Sequence, residues 1–132
     1  MPIQREEMRY DVVIIGAGPA GLSAAIKIKK LALENKKSIS VCVLEKGAEI
    51  GSHIISGAVI ETKALEELIP EWKSDPDLEM TKVNKEEFLF LGKTISFKIP
   101  AFLLPSTIKN TGNFIISLAN LCRWLAEQAE AL

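Results

Sequence analysis

Asp11-Val-Val-Ile-Ile-Gly16-Ala-Gly18-Pro-Ala-Gly21-Leu-Ser-Ala-Ala25 is the stretch on which the reading of the fold turns. Val12 to Ile15 are apolar and β-branched without alternation, the pattern of a strand covered on both faces. A glycine turn follows and then a helix start. Gly16 permits a sharp turn at the strand end, and Gly18, lacking a Cβ, lets the backbone approach a diphosphate. Gly21 allows the new helix to pack close on the strand, and Ala25 keeps that contact small. The first N–H groups of the helix have no intrahelical partner and carry the positive end of its dipole. A bare G-x-G-x-x-G is a weak signal, but this one ends a strand and opens a helix, which is the context that gives it meaning. Dinucleotide binding is the expectation, carried by Ile15, Gly16, Ala17, Gly18, Pro19, Ala20 and Gly21.

Working outward, strand one is expected over Tyr10–Ile15, after a polar leader from Met1 to Met8. Helix one is expected from about Gly18 to Glu34, with Leu22, Ala25, Ile26 and Leu33 toward the sheet and Lys27, Lys29 and Lys30 outward. Asn35 suits a left-handed helix exit. Strand two, Ile39–Leu44, ends on Glu45, 24 positions after Gly21 (45 − 21), against a usual spacing of about 20. A carboxylate at that strand end accepts hydrogen bonds from ribose hydroxyls and repels a 2′-phosphate, so FAD or NAD is favoured over NADP. Lys46, Gly51, Ser56 and Gly57 lie in the small-residue loop that follows. Its glycines are open to a reading in which backbone approaches a second part of a long cofactor, and spacing alone does not choose between that and a role for the loop's histidine. His53 sits in the same loop, and spacing does not separate a structural role for it from a chemical one.

Beyond the loop, Thr62–Trp72 is expected to be one helix capped by Thr62, with Leu65, Leu68, Ile69 and Trp72 on one face. That face is a core stripe or, in the sharper reading, a membrane-surface stripe. Met80–Val83 and Glu87–Leu91 are expected strands, with Gly92-Lys93 as a two-residue turn into Thr94–Ile99. Proline-bracketed Pro100–Pro105 is no central strand and either lines a cavity or faces lipid. Phe114–Ile116 is a short strand and Ser117 a cap for a helix with Leu118, Leu121, Cys122, Leu125, Ala129 and Leu132 on one face and Trp124 beside it.

The bulk properties exclude several function classes. With 132 residues, 48% of them apolar, the chain can form a core, and its net charge of −1 and pI of about 5.9 offer no basic face for nucleic acid. The longest apolar run, Val12–Ile26, contains three glycines and a proline and is better explained by the turn than by a membrane span. No signal or transit pattern opens the chain, which suggests a cytosolic bacterial protein or a mature form. Cys42 and Cys122 are far apart and outside any metal spacing, so both are expected to be buried thiols. The unfinished parallel sheet and the abrupt helical ending suggest the N-terminal piece of a longer protein.

Several blocks carry a family resemblance. Gly16-Ala-Gly-Pro-Ala-Gly-Leu-Ser-Ala-Ala-Ile26, Val41-Cys-Val-Leu-Glu-Lys46, Ile50-Gly-Ser-His-Ile-Ile-Ser-Gly57, Leu65-Glu-Glu-Leu-Ile-Pro-Glu-Trp72 and the run Gly112–Leu132 resemble the N-terminal part of the electron transfer flavoprotein–ubiquinone oxidoreductase family. The glycine motif is common to many flavoproteins; the middle and terminal blocks make the resemblance specific. It implies an α/β chain, the N-terminal part of a Rossmann-like FAD-binding fold of the glutathione-reductase type with the start of an inserted antiparallel subdomain. The division it implies is 1–60 for the first βαβ part, 61–112 for the inserted hairpin and membrane-facing segment, and 113–132 for the return to the FAD-binding domain.

The resemblance further implies FAD and, in the full-length family, a 4Fe–4S cluster whose ligands lie outside this chain. Electrons would pass from reduced electron transfer flavoprotein to ubiquinone at a membrane surface. The location implied is the bacterial inner membrane, cytoplasmic face and peripheral, or the mitochondrial inner membrane, matrix face, in a eukaryote. Related flavoproteins often place a basic residue where this chain has Ser117, so no charge-based role is assigned there. No catalytic side chain is nominated, because a flavin supplies the chemistry itself, and no metal ligand, because Cys42 and Cys122 match none of the family's cluster cysteines. Competing readings are a geranylgeranyl-reductase-like or aromatic-hydroxylase-like flavoprotein, an NAD dehydrogenase, and a non-catalytic dinucleotide-binding fragment. The isolated chain is expected to bind FAD poorly and to aggregate.

Overall fold

The computed structural model describes residues 7–132, so residues 1–6 of the polar leader lie outside the described residues. The opening unit is a strand, β1 (Val12–Ile15), a helix, α1 (Pro19–Glu34), and a second strand, β2 (Val41–Leu44). The two strands run parallel with Val12 opposite Val41 and Ile15 opposite Leu44. Their register is pinned at the start by Asp11. Its Oδ2 accepts from the Ser40 N–H at 2.8 Å and from the Ser40 hydroxyl at 2.7 Å, while the Asp11 N–H donates to Ser40 Oγ at 2.9 Å. At the other end the Gly16 N–H donates to the Leu44 carbonyl at 2.7 Å.

Three expectations for this unit need correction. The β1–β2 sheet is covered on one face only: α1 packs on it, while Val13, Ile15 and Leu44 on the other side stay exposed. An unbroken apolar run therefore did not mean two covered faces in this chain. Leu33 points away from the core and Ala32 takes its place, because the buried positions Leu22, Ala25, Ile26 and Ala32 follow the 3.6-residue period. Lys36, with φ 53°, adopts the left-handed exit expected of Asn35. Asn35 stays at φ −93°, and its Nδ2 donates to the Leu31 carbonyl at 2.7 Å.

A second, antiparallel sheet has the strand order β3 (Gly57–Ile60), β7 (Phe114–Ser117), β4 (Thr81–Lys82). Between β3 and β4 the expected single helix is two. Helix α2 (Lys63–Leu68) stops at Ile69, and a 3₁₀ turn, Pro70–Ser74, follows. The residue before a proline is pushed out of the helical region, and Ile69 indeed sits at φ −138°, ψ 84°. Thr62 makes no side-chain cap; its hydroxyl donates to Glu66 Oε1 at 3.4 Å.

The stripe survives the break. Leu65, Ile69 and Trp72 are buried with Leu68 packed against them, so this face belongs to the core and not to a lipid surface. Trp72 meets Phe114 edge-on at 5.4 Å between ring centroids. Lys30 of α1 reaches across and donates to the Leu68 carbonyl at 2.7 Å, satisfying the end of α2.

The expected hairpin is present as β5 (Phe88–Leu91) and β6 (Ser96–Ile99). Its register, Phe88 opposite Ile99 and Leu91 opposite Ser96, centres the turn on Lys93-Thr94, one residue later than expected. Gly92 closes the turn by donating its N–H to the Ile95 carbonyl at 2.8 Å. The proline-bracketed run forms a short 3₁₀ turn at Ala101–Leu103, not a strand.

Helix α3 (Leu118–Glu130) starts where expected, with the Ser117 side chain accepting from the Asn120 N–H. It lies along α1, and together the two helices form the main core with Leu22, Ile26, Leu121, Cys122 and Leu125. Trp124 is buried too, not merely beside the face, and donates its Nε1–H to Asp75 Oδ2 at 2.8 Å. Complete burial of each large aliphatic here contributes roughly 1.5–3 kcal/mol.

Candidate functional site

The glycine turn sits at the C-terminal end of β1, where the chain enters α1. Gly16 has φ 99°, a conformation that costs any residue with a Cβ. A Cβ on Gly21 would collide with the Gly16 carbonyl oxygen and press on Ile14 Cγ2 at 3.2 Å, so the close helix–strand approach requires a glycine there. Around Gly18 the opposite holds: among the described residues, nothing beyond its immediate chain neighbours lies within 4 Å of where a Cβ would sit. The turn is tight at one glycine and open at the other. Gly18 is the N-cap of α1 and makes no side-chain cap, Pro19 opens the helix, and the first turn holds no acidic residue. The first N–H groups of α1 are thus satisfied by no side chain of this helix, and the positive end of the dipole lies behind them.

Glu45 stands opposite. Its Oε2 accepts from the Ala17 N–H at 2.9 Å and its Oε1 from the Gly47 N–H at 2.7 Å. These bonds, first the one from Gly47 and then the one from Ala17, hold the carboxyl below the ordinary glutamate range, with His53 adding a weak Coulombic pull. One side chain thus ties the glycine turn at the end of β1 to the loop after β2. Ala17 is buried in the process, while Ile15, Ala20 and Lys46 are exposed around the turn.

The later loop residues are placed differently. Gly51 has φ 82°, and a Cβ there would lie 2.9 Å from the Ala119 carbonyl oxygen, so its missing side chain accommodates the first turn of α3. Gly57 belongs to β3 opposite Ser117, and a Cβ there would press on the Ile116 carbonyl oxygen at 2.8 Å. Ser56 is exposed just ahead of that strand. The structure gives Gly51 and Gly57 packing duties that spacing did not suggest. The turn residues and Glu45, by contrast, are brought together.

A cleft of about 380 Å³ opens beside Glu45, lined among others by Ala17, Lys29, Val43, Ile50, Ala126 and Leu132. Sequence reasoning missed Lys29 and Ala126 here, because only the crossing of α3 over α1 brings their faces to the end of β2. It also gave no role to Asp11, whose Ser40 bonds set the strand register and hold its carboxyl below the ordinary range. Among the described residues no three or more His, Cys, Asp or Glu are grouped so that they could hold a metal ion. Nor is any helix there long and apolar enough to cross a membrane.

The pattern of the pyridine nucleotide-disulphide oxidoreductase family matches residues 10–110, which include the glycine turn, Glu45 and the hairpin. The chain is 54% identical over 98% of its length to the electron transfer flavoprotein-ubiquinone oxidoreductase of Pseudomonas aeruginosa, spanning 24% of that protein. It is 50% identical over 97% of its length to the mitochondrial protein of the same description from Dictyostelium discoideum, and 48% identical over 98% to that from Bos taurus, spanning 21% of each. The chain thus spans about a quarter or less of the length of these relatives. With a glycine turn, an uncapped helix start and a strand-end glutamate inside the matched region, the chain belongs to the pyridine nucleotide-disulphide oxidoreductase family.

Proposed function

We propose that this chain carries the diphosphate and adenosine-ribose site of an FAD-dependent oxidoreductase that moves electrons from reduced electron transfer flavoprotein to ubiquinone at a membrane surface. The observation that carries the proposal is the glycine turn with open space at Gly18 and no side-chain cap at the start of α1, tied through the Ala17 N–H to the Glu45 carboxylate. That arrangement fits a dinucleotide without a 2′-phosphate: backbone N–H groups of the turn would take the diphosphate and Glu45 the ribose hydroxyls. Ile15, Gly16, Ala17, Gly18, Pro19, Ala20, Gly21, Glu45 and Lys46 make up the site, with Gly51, Ser56 and Gly57 supporting the loop behind it.

The choice of FAD, and of electron transfer flavoprotein and ubiquinone as partners, is supported by the names of relatives about half identical over nearly the whole chain. A bound flavin supplies the redox chemistry, accepting or giving one or two electrons at a time. The residues present do what the protein must contribute: Glu45 orients the turn, Gly18 admits the ligand, and Gly16 and Gly21 hold the helix start in place. A 4Fe–4S cluster belongs to the proposal for the whole protein, with ligands outside this chain. So do the division at residues 60 and 112 and a peripheral location on the inner membrane.

Flavin fluorescence titration of the wild-type chain and Gly18→Ala, with NADH as competitor, tests the site. The expected result is weak FAD binding, preferred over NADH and lost in Gly18→Ala. Binding indifferent to Gly18→Ala, or tighter for NADH than for FAD, refutes it.

A further inference from the structure

Two adjacent glutamates at the root of the β5–β6 hairpin take different partners. Glu87 serves the hairpin itself: its Oε1 accepts from Lys98 of β6 at 2.8 Å and lies 2.9 Å from the Lys85 ammonium. Glu86 serves the returning chain. Its Oε2 accepts from the Asn110 N–H at 2.7 Å and its Oε1 from the Thr111 hydroxyl at 3.2 Å. One carboxylate braces the hairpin, and its neighbour ties the hairpin to the segment that leads into β7.

That segment is anchored to the body. The Asn113 N–H donates to the Asn110 carbonyl at 2.9 Å, the Val83 N–H to the Asn113 carbonyl at 2.8 Å and the Gly112 N–H to the Val83 carbonyl at 2.9 Å. Val83 is buried, and Phe114 packs on Trp72. Beyond Glu86 the anchoring thins. Strands β5 and β6 pack principally on each other, with Phe90 stacked on Phe97. The 3₁₀ turns at Ala101–Leu103 and Ser106–Ile108 bury no residue. The arm 87–109 is thus braced internally and held chiefly at its root.

The root also contains positions that can turn. Asn84 and Lys85, between the buried Val83 and Glu86, are exposed. Across from them Gly112 has φ 96°, and among the described residues nothing beyond its chain neighbours lies within 4 Å of where a Cβ would sit. Such positions absorb a change of backbone angle without collision.

We propose that Glu86 is the latch of a hinge. With its carboxylate on Asn110 and Thr111, the arm 87–109 is held at one angle to the body. With those bonds broken, the arm swings as a unit about Asn84-Lys85 and Gly112. Both bonds are charge-assisted and Glu86 is half-buried, so their loss raises the open population about tenfold. Glu87 has the complementary duty: it keeps the arm in one piece while it moves. The inference is independent of which cofactor the chain takes.

Pulsed EPR distances test the latch, with nitroxides on Thr94→Cys at the hairpin tip and Glu127→Cys on α3 in a Cys42→Ala, Cys122→Ala background. The parent should give one narrow distance distribution. Glu86→Ala should broaden it, Thr111→Val should broaden it less, and Glu87→Gln should leave it narrow. Trypsin cleavage between Lys109 and Asn110, the bond whose N–H is latched, should quicken about tenfold in Glu86→Ala. Amide exchange across β5–β6 should stay as in the parent, which separates a swinging arm from a fraying one. Unchanged emission from Trp72 and Trp124 identifies the variants that remain folded, and Thr111→Val, at an exposed position, tests the latch without touching the acid. A broad distribution in the parent, a narrow one in folded Glu86→Ala, or hairpin amides that lose protection together with Asn110 overturns the proposal.

Discussion

Gly21→Ala pits two effects of opposite sign against each other. Alanine is the better helix former, by about 1 kcal/mol in a helix interior and less in a first turn. The added methyl, however, lands on the Gly16 carbonyl oxygen and crowds Ile14 Cγ2. The first of these neighbours is backbone, which cannot rotate aside, and Gly16 is itself fixed by its N–H bond to the Leu44 carbonyl. Overpacking of this kind costs about 1–3 kcal/mol. The net expectation is a loss of about 1–2 kcal/mol, which at a urea slope of about 1–2 kcal/mol/M lowers the midpoint by roughly 1 M.

Gly18→Ala is the control: no neighbour lies within 4 Å, and its φ of −81° suits any residue. Only the poorer N-cap quality of alanine applies there, about 0.5 kcal/mol. The pair should therefore separate in urea, with Gly21→Ala unstable and Gly18→Ala nearly normal, while both lose FAD affinity. A midpoint for Gly21→Ala at or above wild type would refute the close helix–strand approach, since propensity would then have outweighed the collision.

Other outcomes follow from the core and from Glu45. Ile26→Ala, at a fully sealed position between α1 and α3, should cost about 2–5 kcal/mol in the same urea assay. Trp124→Phe should cost more than the lost ring area alone, by about 1 kcal/mol, because it leaves Asp75 Oδ2 without the Nε1–H it accepts. Trp72→Phe should not show that excess, since the Trp72 Nε1–H is buried without a partner among the described residues; equal excesses would contradict the assignment. Because the Glu45 carboxyl lies below the ordinary glutamate value, its contribution is complete above that value and fades as pH falls through the lowered one. The Ala17 and Gly47 amide resonances should report this acid titration together, and a midpoint at or above the ordinary value would contradict it.

What could be read from sequence was what depends on local chemistry. The glycine turn is legible because Gly16 and Gly21 answer to constraints within a few residues. The same holds for the Ser117 cap and for the existence of the hairpin. Positions set by distant parts of the chain were not legible. Whether the second face of β1 is covered depends on what layer packs there, and Val13 and Ile15 look the same in either case. Gly51 and Gly57 were read as leaving room for a ligand. Their neighbours are Ala119 and Ile116, more than 50 residues on, and no local pattern announces that. The break at Ile69 was signalled by Pro70, but a stripe that stays in phase across it masked the signal. The hairpin turn slipped by one because Gly92 serves the closing bond and not the turn centre.

The seal between α1 and α3 also provides a kinetic gauge. Cys122 is 0% exposed in that seam, and burial, with the Glu45 charge nearby, pushes its thiol above the ordinary range. A thiol so placed reacts with a disulfide reagent only after α3 has lifted, so its labelling rate counts opening events of that helix. Cys42, only half-buried on β2, is an internal reference in the same molecule. The ratio of the two rates reads how often the helix layer detaches while the strand stays in place. A ligand seated against the glycine turn beside Glu45 should slow the Cys122 clock and leave that of Cys42 almost unchanged.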